Sequence, residues 1–365
     1  MALLALAAAG CQDRAPIRIG FSGQLSGAHA DLGAVGRDGA ILAVEQINAA
    51  GGVEGRPLEL VVRDDQDTPD GARNADRELI ASGVVAIIGH MTSGLTVAAL
   101  PVTEQAGVVL LSPTASTTKL SGVKDLFFRV QPSIGASARE LARHAVLQRN
   151  ATRVAVLYDT DNAVYTNAFL GAFVNELRLQ GGTIVGRSGF ASSREPAFGT
   201  LLTTALAATP DTLLCIASAA DTAAMARLVR AMPWHGPVYA SGWAQTPALL
   251  EQGGEAVEGV MLTTHYDPNC RSAAFLAFKE AFTNRFGYGP SFAAAQAHDA
   301  VRVLAAALAQ TQGKAVGLPE ALLAVHDLPC LMGPVSMDAY GDVMRPSYLL
   351  TVRHGAFVTE GGMVP

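Results

Sequence analysis

Two hydroxyl-rich turns follow two apolar runs in this chain, and their residue types suit the capture of an anion. Val84-Val85-Ala86-Ile87-Ile88 leads into Gly89-His90-Met91-Thr92-Ser93-Gly94, and Val108-Val109-Leu110-Leu111 leads into Ser112-Pro113-Thr114-Ala115-Ser116. Each run is short, β-branched and bounded by Gly or Ser, as buried parallel strands are. Ser93-Gly94-Leu95 then opens a helical pattern. Two neighbouring strand-to-helix turns place hydroxyls and unpaired helix-start N–H groups at one sheet edge. Open α/β sheets bind ligands at that edge, and helix N-termini favour anions. A small carboxylate is the natural guest, each charge-assisted hydrogen bond to it contributing about 1.5–3 kcal/mol net. Plain helix capping is the other use of Ser93 and Ser116.

Other chemistry finds less support. Gly20-Phe21-Ser22-Gly23-Gln24-Leu25-Ser26-Gly27 does not have the dinucleotide spacing, and Gly313-Lys314 is followed by Ala315 without a preceding strand. No nucleophile elbow follows a strand, and the eight His residues are scattered. His90, beside the candidate anion site, reads as a turn residue bonded to backbone more readily than as a catalyst. Asp64-Asp65-Gln66-Asp67 could suggest a metal, but without further ligand spacing it reads as a solvated, helix-capping turn. The sequence therefore implies no catalytic residue, no metal and no cofactor.

Strand and helix patterns alternate almost throughout, which is what must position these turns. Strands are expected at 17–22, 58–63, 84–88, 108–111 and 126–130, with helices at 34–48 and 69–81. Gly51-Gly52 stops the first helix, and Thr68-Pro69 opens the second. The cycle restarts with strands at 153–158, 183–187, 212–217 and 238–241 and helices at 165–180, 198–207 and 222–232. Two long helices follow at 272–286 and 292–310. This order argues an α/β chain with two doubly wound parallel sheets. A ligand held between two such lobes is a common arrangement for small-molecule capture.

The 365 residues carry a net charge of −6, and only 16% are charged, with no polybasic run, so nucleic acid is not an expected partner. Past the N-terminus no apolar stretch approaches the ~18 residues of a membrane span. The first eleven residues, ending Ala7-Ala8-Ala9-Gly10-Cys11, are apolar and small. They look like the core and cleavage box of a bacterial lipoprotein signal peptide, with Cys11 as the lipidated residue and 12–16 as a polar tether. A basic leading segment is missing, and Ala8 stands where Leu is commoner. Cys215 reads as a buried core thiol. Whether Cys270 and Cys330 pair is open, because sequence does not bring them together.

The chain resembles the Leu/Ile/Val-binding protein family, the type I periplasmic solute-binding proteins of ABC transporters. The likeness lies in an ordered set: Ile17-Arg18-Ile19-Gly20-Phe21-Ser22, Ser26-Gly27, Gly33, Ala43 through Val53, Gly55-Arg56-Pro57-Leu58, Asp64-Asp65, Gly89, Ser112-Pro113, Leu331-Met332-Gly333-Pro334 and Gly341-Asp342. The resemblance implies two lobes joined by three crossovers, near 131–134, 263–267 and 333–336. One lobe would comprise 17–132 plus 265–333 and the other 133–264 plus 334–365, after a leader and tether at 1–16. It further implies that Ser93 gives its hydroxyl and N–H to a ligand carboxylate, that Ser116 gives a hydroxyl, and that Thr114 and Ala115 present backbone groups. Tyr165 would close over the ligand from the second lobe.

The chain departs from the family where a Glu accepts the ligand ammonium. Ser241-Gly242-Trp243-Ala244 puts Trp243 there. Asp221 is the nearest acidic candidate, and is equally readable as the N-cap of the helix at 222. Leu32 replaces an aromatic residue, and Asp67 and Thr92 stand where some members have cysteines. The resemblance implies an extracytoplasmic, lipid-anchored binding protein that takes an amino acid or related small carboxylate by hinge closure and delivers it to an inner-membrane ABC permease. A ligand-sensing subunit of a regulatory system with the same fold is the alternative, and an α/β enzyme the third.

Overall fold

The computed structural model describes residues 15–363, so Cys11 and the expected leader lie outside the described residues. Five parallel strands form the first sheet: β1 (Ile17–Gly23), β2 (Leu58–Asp64), β3 (Ala86–Ile88), β4 (Val109–Ser112) and β5 (Phe127–Arg129), in the order β2-β1-β3-β4-β5. Helices α1 (Ala30–Ala49), α2 (Pro69–Ala81) and α3 (Ser93–Ala106) connect them. Ile19, Phe21, Ile87, Ile88, Leu110 and Leu111 have no or almost no exposed surface, as strands covered on both faces require. Each such side chain contributes about 1.5–3 kcal/mol on burial.

The local signals act where the chain carries them. Thr68 caps α2, its hydroxyl accepting from the Gly71 N–H at 3.0 Å, with Pro69 in the first turn. The expected start of the first helix, near residue 34, falls four residues late, since α1 begins at Ala30.

The chain then crosses to a second sheet of seven strands. Its order is β14-β13-β10-β9-β8-β6-β7. The strands are β6 (Arg153–Asp159), β7 (Thr183–Phe190), β8 (Thr212–Ile216), β9 (Val238–Ala240), β10 (Met261–Thr264), β13 (Ser347–Arg353) and β14 (Ala356–Met363), with only the last two pairings antiparallel. Helices α4 (Gly135–Arg149), α5 (Ala163–Leu179), α6 (Phe198–Ala207), α7 (Ala219–Arg230) and α8 (Pro247–Gly253) accompany it. Two sheets with helices packed on them thus lie side by side, the two-lobed arrangement that the resemblance implies.

Before β13, the chain leaves the second sheet for α9 (Ala273–Phe286), α10 (Phe292–Gln310), the short α11 (Leu318–Leu323) and a hairpin of β11 (Leu328–Cys330) and β12 (Gly333–Val335). Helix α10 packs on α1 through small residues. Gly39 meets it so closely that a Cβ would lie 2.1 Å from the Ala294 carbonyl oxygen. Gly39→Ala is therefore expected to lose about 1–3 kcal/mol through overpacking. The check is a lower urea midpoint with an unchanged slope. Polar contacts pin the same junction: Tyr288 donates to Asp38 at 2.7 Å, and His298 Nε2 lies 2.9 Å from Gln46. The buried Arg345–Asp299 pair, 2.7 Å apart, and Arg129–Asp342, also 2.7 Å, hold the segment before β13 against the first sheet. Cys215 is buried as expected, and the thiols of Cys215, Cys270 and Cys330 are all free.

Candidate functional site

Strands β3 and β4 are parallel neighbours, with Ile88 opposite Leu111, so the turns that follow them end side by side. Three side chains stitch them together. The Ser112 hydroxyl donates to the His90 carbonyl at 2.8 Å, and the Thr114 hydroxyl to the Met91 carbonyl at 2.5 Å. Ser93 Oγ accepts from the backbone N–H groups of both Ser116 and Thr117 at 3.2 Å. With both acceptor sites of Ser93 used, its own proton is left to donate outward. Ser93 also begins α3, whose N-terminal N–H groups carry partial positive charge.

His90 anchors this wall from behind. It is fully buried, with Nδ1 2.8 Å from Asp65 and Nε2 3.2 Å from Asp76, both carboxylates equally buried. Burial works against its charge, but Asp76 and Asp65 outweigh that and raise the imidazole to about 10. The acidic run 64–67 is therefore not the solvated turn that the sequence suggested. Asp65 holds His90, and Asp67 accepts from His29 Nδ1 at 2.8 Å. Asp64 does cap backbone, accepting from Leu25 and Gln66 N–H groups.

The turns face a cleft between the two sheets. Ser93, Thr114 and Ser116 line one side, and Tyr165 and Trp243 the other. Tyr165 stands edge-on to Trp243, ring centres 5.7 Å apart, and burial pushes its phenol up to about 12 against hydrogen bonds from Ser241 and Trp243. The floor comes from the crossing segments: Gln131 and Ile134 after β5, and Thr263, Thr264 and His265 at the end of β10. Gly242 must be small there, since a Cβ would lie 2.5 Å from the Thr263 carbonyl oxygen. Burial lowers His265 to about 4, so it is neutral, with Nδ1 3.0 Å from the Pro346 carbonyl.

Two sequence candidates stand elsewhere. The Ala115 N–H is spent on Ser112 Oγ at 3.0 Å, and Ala115 is not among the lining residues. Asp221 does not line the cleft either. Nor is it the N-cap of its helix, which begins three residues earlier than expected: Ser218 caps α7 and receives the Asp221 N–H. The Asp221 carboxylate accepts from the hydroxyls of Ser192 at 2.5 Å and Ser218 at 2.8 Å, and desolvation raises its pKa. Asn162, which the sequence reading passed over, accepts from the Gly94 N–H at 3.0 Å and so joins the two sides. Its place just before α5 was the signal, but that place reads as an ordinary cap. The Thr117 hydroxyl makes a second bridge, to the Val164 carbonyl at 3.2 Å.

The pattern for periplasmic binding proteins matches residues 16–356. The chain belongs to the periplasmic binding protein family. It is similar to Leu/Ile/Val-binding protein homolog 1 of Brucella abortus, 25% identical over 96% of this chain and 94% of that one. A leucine-, isoleucine-, valine-, threonine- and alanine-binding protein of Pseudomonas aeruginosa is 36% identical, over a match that spans 30% of each chain. The crystal structure of a leucine binding protein, LivK, from Thermotoga maritima superposes with a TM-score of 0.88 at 26% identity, covering 96% of this chain and 99% of the other. The chain is thus a periplasmic binding protein, and these relatives are named for the ligands they bind.

Proposed function

We propose that this periplasmic binding protein captures a small carboxylate with an uncharged, apolar body and hands it to an inner-membrane ABC permease. One observation carries the choice of ligand: among the described residues, none that lines the cleft is Asp, Glu, Lys or Arg. A carboxylate does not need a cation there, because Ser93, Ser116 and the α3 N-terminus supply donors. An ammonium does need acceptors, and in a dry cleft it needs a carboxylate to offset its desolvation. Trp243, Leu32, Met91, Ile134 and Phe292 suit an apolar body instead. The lobes close on the ligand as hinged bodies, with Asn162 and Tyr165 meeting the first side. Lipid on Cys11 holds the protein at the membrane, and Cys11→Ala would release it from the membrane fraction.

An amino acid is the second reading, favoured by what the relatives' names say they bind. The two separate in a melting assay on unfolded and refolded protein. Leucine is compared with isocaproate, and phenylalanine with phenylpropionate, each pair differing by the ammonium. A ligand at ~1,000 times its Kd adds roughly 4 kcal/mol. The acids are expected to raise the melting temperature and their amino counterparts to do so less. Larger shifts with the amino acids would overturn the preference, and no shift with any carboxylate would remove Ser93 and Ser116 from the site.

A further inference from the structure

Beside the cleft, behind Trp243, lies a second cluster that ligand capture does not use. His29 sits at the N-terminus of α1, is 3% exposed, and belongs to the first sheet's side. Its backbone N–H and its Nδ1 both bond to Asp67 Oδ2, at 3.2 and 2.8 Å. That leaves Nε2, which is buried and has no hydrogen-bond partner. It points at Asp159 Oδ2, at the end of β6 on the opposite side, 3.5 Å away. Asp159 is fully buried and its Oδ2 is likewise unpartnered, while its Oδ1 accepts from the Asp161 N–H at 2.7 Å. Asp221 supplies a third group, and one donor atom from each of the three lies within 4.8 Å of the others. The Trp243 ring covers His29 at 5.0 Å.

We propose that His29 Nε2, Asp159 and Asp221 bind a divalent transition-metal ion, zinc by preference, that bridges the two lobes. Three features carry it. The 3.5 Å gap is too long for a charge-assisted hydrogen bond, which spans roughly 2.7–2.9 Å. It matches two ligands each about 2.0–2.1 Å from one ion, subtending about 115°, close to tetrahedral. The Asp67–His29 contact is the outer partner that metal-binding imidazoles need, since it holds the proton on Nδ1 and turns the Nε2 lone pair to the ion. Charge argues the same way: Asp67, Asp159 and Asp221 converge on one imidazole, an excess of negative charge that a dication offsets. One imidazole and two carboxylates, with a water in the fourth place, are ligands zinc accepts.

Because His29 comes from one side and both carboxylates from the other, the ion is complete only when the lobes are together. Metal and ligand would then raise each other's affinity by the same factor. That coupling rests on the closure proposed above, whereas metal binding itself does not.

The test uses the whole protein, stripped with a chelator and titrated with zinc alone by calorimetry. One ion per chain is expected. His29→Gln and Asp159→Asn should each weaken binding at least a hundredfold while circular dichroism stays native. Asp67→Asn, which does not touch the ion, should weaken it about 10–100-fold. Small-angle scattering should show zinc compacting the wild type but not Asp159→Asn. Failure to take up one ion, or uptake unchanged in His29→Gln and Asp159→Asn, overturns the site. Site-specific uptake without compaction overturns the coupling to closure.

Discussion

His90→Gln is expected to destabilise the protein by about 3–5 kcal/mol at neutral pH, the usual cost of removing one partner from a buried ion cluster. Asp65 and Asp76 would remain in the core with a neutral amide between them, 2.8 and 3.2 Å from where the imidazole nitrogens were. The same cluster predicts a pH dependence. The folded His90 pKa is raised from 6.5 to about 10, so its stabilisation is complete below 6.5 and is lost as pH rises through 10. The wild-type melting temperature should therefore fall between pH 7 and 10 more steeply than that of His90→Gln. His265 and His298 act in the opposite direction. Burial lowers both to about 4, so their contribution holds above 6.5 and is lost as pH falls toward 4. The acid limb should survive in His90→Gln. Parallel alkaline limbs in the two proteins would contradict the assignment of charge to His90.

Ser93→Ala is expected to act on ligand and fold together. The substitution removes the hydroxyl that faces the cleft, and with it about 1.5–3 kcal/mol of binding to a carboxylate, or roughly ten- to a hundredfold in affinity. It also leaves the Ser116 and Thr117 N–H groups without the oxygen they share. An orphaned buried donor costs about 1–3 kcal/mol, so the unliganded protein should melt lower too. Ser93→Thr, which keeps the hydroxyl, should restore most of both. Calorimetry with the carboxylate that gives the largest melting shift reads the first effect, and thermal unfolding without it reads the second. Undiminished affinity in Ser93→Ala would place the carboxylate elsewhere.

The first wall of the cleft was legible because its signals are local. Two β-branched runs ending in Gly and Ser become adjacent parallel strands, and adjacent strand ends put Ser93, Thr114 and Ser116 together whatever the rest of the chain does. Capping was legible for the same reason at Thr68. The second wall was less so. Tyr165 and Trp243 reach the cleft, but Asp221 turns toward Ser192 and Ser218, because the helix starts at Ala219 and carries the carboxylate away from the cleft.

The alternation of apolar runs and helical faces, with the family resemblance, determined the α/β architecture and the hydroxyl side of the site. What only the tertiary structure decided is where buried charge goes. Asp65 meets His90 and Asp67 meets His29 across tens of residues, and His29 meets Asp159 across the cleft. In sequence these acids look like a solvated turn, because a carboxylate's partner is set by which strand ends and loops converge. Hydrophobic periodicity specifies faces and ends of elements, but burial in a low-dielectric interior forces each charge to find a partner, and that choice is made in three dimensions.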